Sequence, residues 1–163
     1  MRTLAFLLLL ATAAQAQPSI EAGWGFGVPL GGTRNGNLVD SRLGLVEVES
    51  RTPVLFEYLK GAIGLQGLGV YAPYHGWGAF LYGGGRVQYS RFTARADAGA
   101  GYTDFDGARG QADKVMFLLQ AGASVRVIEE LELGTRIHHL SNAGLDAPNG
   151  GINSVVFSAG WAF

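Results

Sequence analysis

The chain has 163 residues, a formal charge of −1 at neutral pH, 26 glycines and no cysteine. Acidic residues slightly outnumber basic ones, so no net positive charge points to nucleic acid, and the lack of thiols excludes both a disulfide framework and cysteine chemistry. The length suits one domain.

Arg2, the apolar run from Leu4 to Leu10 and the small-x-small triplet Ala14-Gln15-Ala16 read as a signal peptide over residues 1–16, removed after Ala16. Residues 17–163 then form one β domain. Beyond the signal no run approaches the ~18 consecutive apolar residues of a spanning helix, so a membrane would be met with strands.

Ser19 to Val28 alternates strictly, with Ile20, Ala22, Trp24, Phe26 and Val28 opposite Ser19, Glu21 and three glycines. Period two predicts a strand. Pro29 to Asp40 is a long connection rich in Gly and Asn. A second strand over Arg42 to Ser50 changes phase, since Leu43 and Leu45 share one parity and Val46 and Val48 the other; a bulge or a shift of phase accounts for this. Thr52-Pro53 predicts a turn, and a third strand follows, most regular from Ile63 to Tyr71. Pro73 to Gly76 ends it and leaves His75 in a loop.

The fourth strand sets Trp77, Ala79, Leu81, Gly83, Val87 and Tyr89 on one face, with Phe80, Tyr82, Arg86 and Gln88 on the other. The fifth, Arg91 to Thr103, is the most regular: Phe92, Ala94, Ala96, Ala98, Ala100 and Tyr102 make one face wholly apolar. After a polar loop from Asp104 to Asp113 comes a sixth strand, Val115 to Val127, then a turn over Ile128 to Glu130. The seventh runs from Leu131 to Ser141. The eighth starts near Asn153 and carries Val155, Phe157, Ala159, Trp161 and Phe163 on one face to the end of the chain.

This pattern predicts an all-β fold, an eight-stranded antiparallel transmembrane β-barrel with lipid against its apolar face. A secreted sandwich would also alternate, but the abundant glycine on the polar face suits a narrow lumen better than a solvated exterior. The odd-numbered connections are mostly the longer ones, as expected if both ends of the chain are periplasmic. Glu21, Arg86, Arg95, Asp97, Arg126, Glu132 and Arg136 share the lumen parity, and pairing would let them close it as a plug rather than line a pore.

On the seventh strand His139 and Ser141 lie two residues apart on the otherwise apolar, outward parity, and Asn153 starts the eighth strand on the same parity. Polar groups facing lipid are costly unless they have a role, and an imidazole beside a hydroxyl is a nucleophile arrangement. His138, on the lumen parity, and His75 are read as structural.

His139-Leu140-Ser141-Asn142-Ala143-Gly144, followed by Pro148-Asn149-Gly150-Gly151, resembles the last-hairpin motif of the PagL-type lipid A 3-O-deacylases of Gram-negative outer membranes. The resemblance implies a serine esterase that removes the ester-linked 3-position acyl chain of lipid A in the outer leaflet, with neither metal nor other cofactor. Ser141 would be the nucleophile, His139 the general base, Asn142 and Gly144 oxyanion donors and Asn149 a support of the loop. Asn153 stands where characterised members carry glutamate as the orienting residue, and Asp146 is a second candidate for that acid. The implied partner is lipid A or lipopolysaccharide in the outer membrane, with the chain a monomer or homodimer. The alternative reading is a non-catalytic barrel of the same family with a structural or lipopolysaccharide-binding role.

Overall fold

The computed structural model describes residues 17–28, 41–56, 58–72, 75–106, 115–145 and 152–163. The expected signal peptide lies outside them. Eight strands follow in order: β1 (Gln17–Gly27), β2 (Arg42–Phe56), β3 (Leu59–Ala72), β4 (His75–Tyr89), β5 (Phe92–Asp106), β6 (Val115–Arg126), β7 (Leu131–Ser141) and β8 (Ile152–Ala162). Each pairs antiparallel with its neighbours, and β8 returns to β1, with Ser19 opposite Ala162 and Gly27 opposite Ser154. Closure leaves no unpaired sheet edge. The strands, 11 to 15 residues long, can each span the roughly 30 Å hydrocarbon layer, for which a tilted strand needs about 9–11 residues.

The distribution of side chains is inverted relative to a soluble protein. Leu65 is 63% exposed, whereas Arg86 is 1% exposed and Glu47 1%. Ile20, Trp24, Val48, Ile63, Leu81 and Phe157 also face out. A soluble sandwich would bury these residues and hydrate the charges, so the surrounding medium must be apolar.

The lumen is filled in two tiers. Toward the end of the barrel where β1 begins and β8 ends, four arginines and five carboxylates interlock. Arg86 bridges Glu49 and Asp97. Arg95 reaches Glu47 at 3.0 Å, Asp97 at 2.9 Å and Glu21 at 3.3 Å. Arg136 joins Glu47 at 2.6 Å and also Glu21, and Arg51 ties Glu49 to Glu132 at 2.8 and 3.0 Å. Arg136 on β7 and Glu47 on β2 therefore meet across the barrel. Tyr82 donates its hydroxyl to Glu49 at 2.9 Å, and its ring occupies the space where a Cβ on Gly64 would sit. Toward the loop end the filling is apolar: Leu43, Leu45, Leu68, Val70, Phe80, Met116, Leu118, Leu140, Ile152 and Val156.

Four expectations are corrected. Leu43 and Leu45 lie in strict alternation with Glu47 and Glu49, all buried, and the register is continuous past residues 45 and 46. The apparent change of phase is the boundary between the two lumen tiers. Thr52-Pro53 lies within β2, where register shifts between Arg51, Val54 and Phe56 accommodate a residue that has no N–H to give the ladder. His75 is the first residue of β4, opposite Asp106, so only residues 73–74 separate β3 from β4. Among the described residues Arg126 makes no ion pair; Glu47, Glu49 and Arg51 complete the network instead.

Removing one member of a buried ion network leaves its partners uncompensated, typically at a cost of about 3 kcal/mol or more. Arg136→Leu, which strips a partner from both Glu21 and Glu47, is expected to lower unfolding stability by about 3 kcal/mol. Melting followed by the gel-mobility difference between folded and heat-unfolded barrel checks this. An unchanged transition would mean that the cross-lumen pairs add no stability.

Candidate active site

The last hairpin brings together three polar side chains on the lipid-facing surface. In the β7–β8 ladder His139 stands directly opposite Asn153, and such cross-strand neighbours have Cβ atoms about 5 Å apart. Their side chains join, with His139 Nδ1 and Asn153 Oδ1 2.8 Å apart. Ser141 lies two residues further along β7 on the same face, about 6.6 Å of strand rise away. On the other flank, β6 sets Leu119 opposite His139 and Phe117 opposite Ser141. All three polar residues are half-buried, within an apolar surface that includes Phe117, Leu119, Ile137 and Phe157.

The contact between His139 and Asn153 has a consequence for protonation. An amide oxygen can only accept, so the ring nitrogen facing it carries the hydrogen. Nδ1 is then the N–H, and the neutral ring keeps its lone pair on Nε2, the nitrogen that would have to receive a proton from a nearby hydroxyl.

Beyond Ser141 the chain turns sharply. Ala143 and Gly144 both adopt positive φ, 53° and 78°, and Leu145 N–H closes the turn on the Asn142 carbonyl at 3.0 Å. Glycine takes this conformation without cost, whereas alanine does not. Asn142 points inward and is buried, and its Oδ1 accepts the Gly144 N–H at 3.0 Å. The two residues expected to hold an oxyanion are thus bonded to each other in this conformation. Asn149 and Asp146 lie outside the described residues. His138, opposite Gln120 and Ser154, is fully buried in the lumen, and neither of its ring nitrogens has a hydrogen-bond partner among the described residues.

Phe117 and Leu119, which flank the histidine and serine, were not singled out from the sequence as part of a site. Their role is set by the β6–β7 register, and no local pattern encodes that.

A model of the lipid A 3-O-deacylase (PagL) family matches residues 44–162. None of the curated proteins matches the sequence. Among solved structures, the crystal structure of the outer membrane enzyme PagL is similar at a TM-score of 0.65 and 17% identity, covering 88% of this chain and 98% of that one. The N-terminal β-barrel domain of Pseudomonas aeruginosa OprF gives 0.58 at 12% identity, with 90% and 97% covered. The Yersinia pestis outer membrane protein Ail in a phospholipid bilayer nanodisc gives 0.51 at 13%, with 91% and 99% covered. At such identities these structures speak for the barrel fold.

The strained turn supplies a test of its own. Ala143→Gly is expected to raise stability by about 1 kcal/mol by removing the left-handed penalty on an L-residue, read from the same melting assay; a loss of stability would show that the alanine side chain holds the turn by packing.

Proposed function

The chain belongs to the lipid A 3-O-deacylase (PagL) family, and from that premise we propose that it is a serine esterase that removes the 3-position acyl chain of lipid A. It is located in the outer membrane. The observation that carries the reading is the His139–Asn153 bond beside Ser141, three polar groups gathered by two strands on a surface that otherwise meets lipid.

In this mechanism His139 Nε2 takes the Ser141 hydroxyl proton as Oγ attacks the ester carbonyl. The oxyanion of the tetrahedral intermediate is held by N–H groups of the turn and the loop that follows. Gly144 can serve only after exchanging its bond to Asn142 Oδ1, and the side-chain N–H groups of Asn142 only after that buried side chain turns outward; Asn149 supports the loop. Collapse expels the sugar oxygen, which receives the proton from His139 and becomes a free hydroxyl. Water, deprotonated by the same histidine, then hydrolyses the acyl-serine and releases the fatty acid. No step calls on a metal or other cofactor. Substrate arrives sideways from the outer leaflet, so the filled lumen plays no part, and residues 1–16 serve to export the chain.

Asn153 fixes the tautomer of His139 but brings no negative charge to the imidazolium that forms during attack. That favours one second reading, a non-catalytic barrel that binds lipopolysaccharide or serves structurally.

Mass spectrometry of lipid A after expression in an outer membrane separates the two readings. Loss of one hydroxyacyl chain is expected with the intact protein and not with Ser141→Ala at equal abundance; identical lipid A from both would favour the non-catalytic barrel. Asn153→Glu is expected to raise turnover about tenfold, because a charge-assisted hydrogen bond to the imidazolium is roughly twice as strong as a neutral one. Turnover unchanged or lower in a folded Asn153→Glu variant would count against Asn153 as the orienting residue.

A further inference from the structure

Two polar side chains deep in the lumen take no part in its ionic tier. His138 and Gln66 are 0% and 1% exposed, and the polar side-chain atoms of both are without a hydrogen-bond partner among the described residues. Ser41 Oγ shares that condition, but it lies at the loop end of the barrel, next to a residue outside the described set. A buried imidazole or amide left unpaired is costly.

The register shows that His138 and Gln66 face each other. Following hydrogen-bonded neighbours from Lys60 on β3 leads through Arg86, Arg95 and Gly122 to Arg136 on β7. The same row continues through Val156, Gly25 and Leu43 and returns to β3 at Val70, ten residues nearer the loops than it began. Halfway round, at β7, it has climbed five, so Arg136 is level with residue 65 and His138 with residue 67. Gln66 therefore stands on the opposite wall, within about 3 Å of the height of His138. The ion pair of Arg136 with Glu47, the β2 neighbour of Gln66, obeys the same geometry.

Eight strands with this stagger enclose a lumen roughly 16 Å across between opposite Cα atoms. Side chains of this length reach about 5 Å from Cα, which leaves about 6 Å between their polar ends. That is too far for a direct hydrogen bond and fits two bonds of about 2.8 Å to a shared water. Room is left at this level because the two large aromatic side chains of β4 part there. Phe80, opposite Gln66, lays its ring over Gly78 toward the loops, and Tyr82 lays its ring over Gly64 in the other direction. Neighbouring polar groups are engaged elsewhere: Gln120, opposite His138, bonds Asp97 at 3.0 Å, and Glu47 holds Arg95 and Arg136.

We propose that His138 and Gln66 form a buried water site, in which one or two waters bridge β7 to β3 across the lumen. The ligand class follows from the groups that face it. A neutral imidazole offers one N–H and one lone pair, and an amide offers both kinds of group, so the partner must be small, uncharged and able to donate and accept at once; water meets all three conditions. The aliphatic tier on one side and the ionic tier on the other enclose it. The bridge braces β7 one residue before His139, and it stands or falls independently of the deacylase reading.

Two measurements test it. A high-resolution crystal structure of the wild-type chain is expected to show ordered water about 2.7–3.2 Å from polar atoms of both side chains. A direct bond between the two, or an apolar side chain filling the space between them, would overturn the proposal. The second is melting of Gln66→Leu, His138→Leu and the double variant, all substitutions of similar volume. Each single change orphans the opposite group and is expected to lower the melting temperature by about 4 °C. The double change removes both ends of the bridge and is expected to return to within about 2 °C of wild type. Single losses that add in the double variant would mean that the residues are satisfied separately, and a rise in both singles would mean that they are not satisfied at all; either result rejects the bridge.

Discussion

Lipid offers no hydrogen bonds, and that constraint governs the whole molecule. Every backbone N–H and C=O inside the hydrocarbon must find its partner within the sheet, which forces eight strands to close on themselves through the β1–β8 ladder. Closure in turn fixes which way each residue points. Once the alternation is set, a polar side chain on the outer parity costs free energy with no compensation from water. The cluster of His139, Ser141 and Asn153 stands out for this reason and not merely because of its residue types.

The interior obeys the opposite economy. With little room there, charges are tolerable only in mutual contact, and Arg86, Arg95, Arg136 and their carboxylates supply that contact from different strands. The network sits low in the barrel and the aliphatic tier above it, directly behind the last hairpin. Leu140 and Ile152, buried on the inner parity, pack under the same ladder positions that present His139 and Asn153 outward. The rigidity of the proposed site therefore comes from aliphatic packing, with the ionic tier further down.

How legible this was depends on distance along the chain. The strands were readable because alternation is local: β5 shows its alanine face without any neighbour. The outward cluster was readable too, since two parities converge on it. Misreadings arose where a local rule met a distant cause. Leu43 and Leu45 looked out of phase because a lumen is expected to be polar, and only the arrangement of all eight strands shows an aliphatic upper tier. Pro53 looked like a turn because the register shifts that accommodate it belong to the pairing with β3. The mutual bond of Asn142 and Gly144 depends on a backbone conformation that a motif does not specify.

The bond between His139 and Asn153 joins residues 14 apart in sequence, from two strands that meet only in the last hairpin. The second of those strands is also the one that seals the barrel against β1. One edge of β8 thus holds Asn153 against His139 while the other closes the wall, so a substitution that loosens the seam also loosens the partner of the histidine.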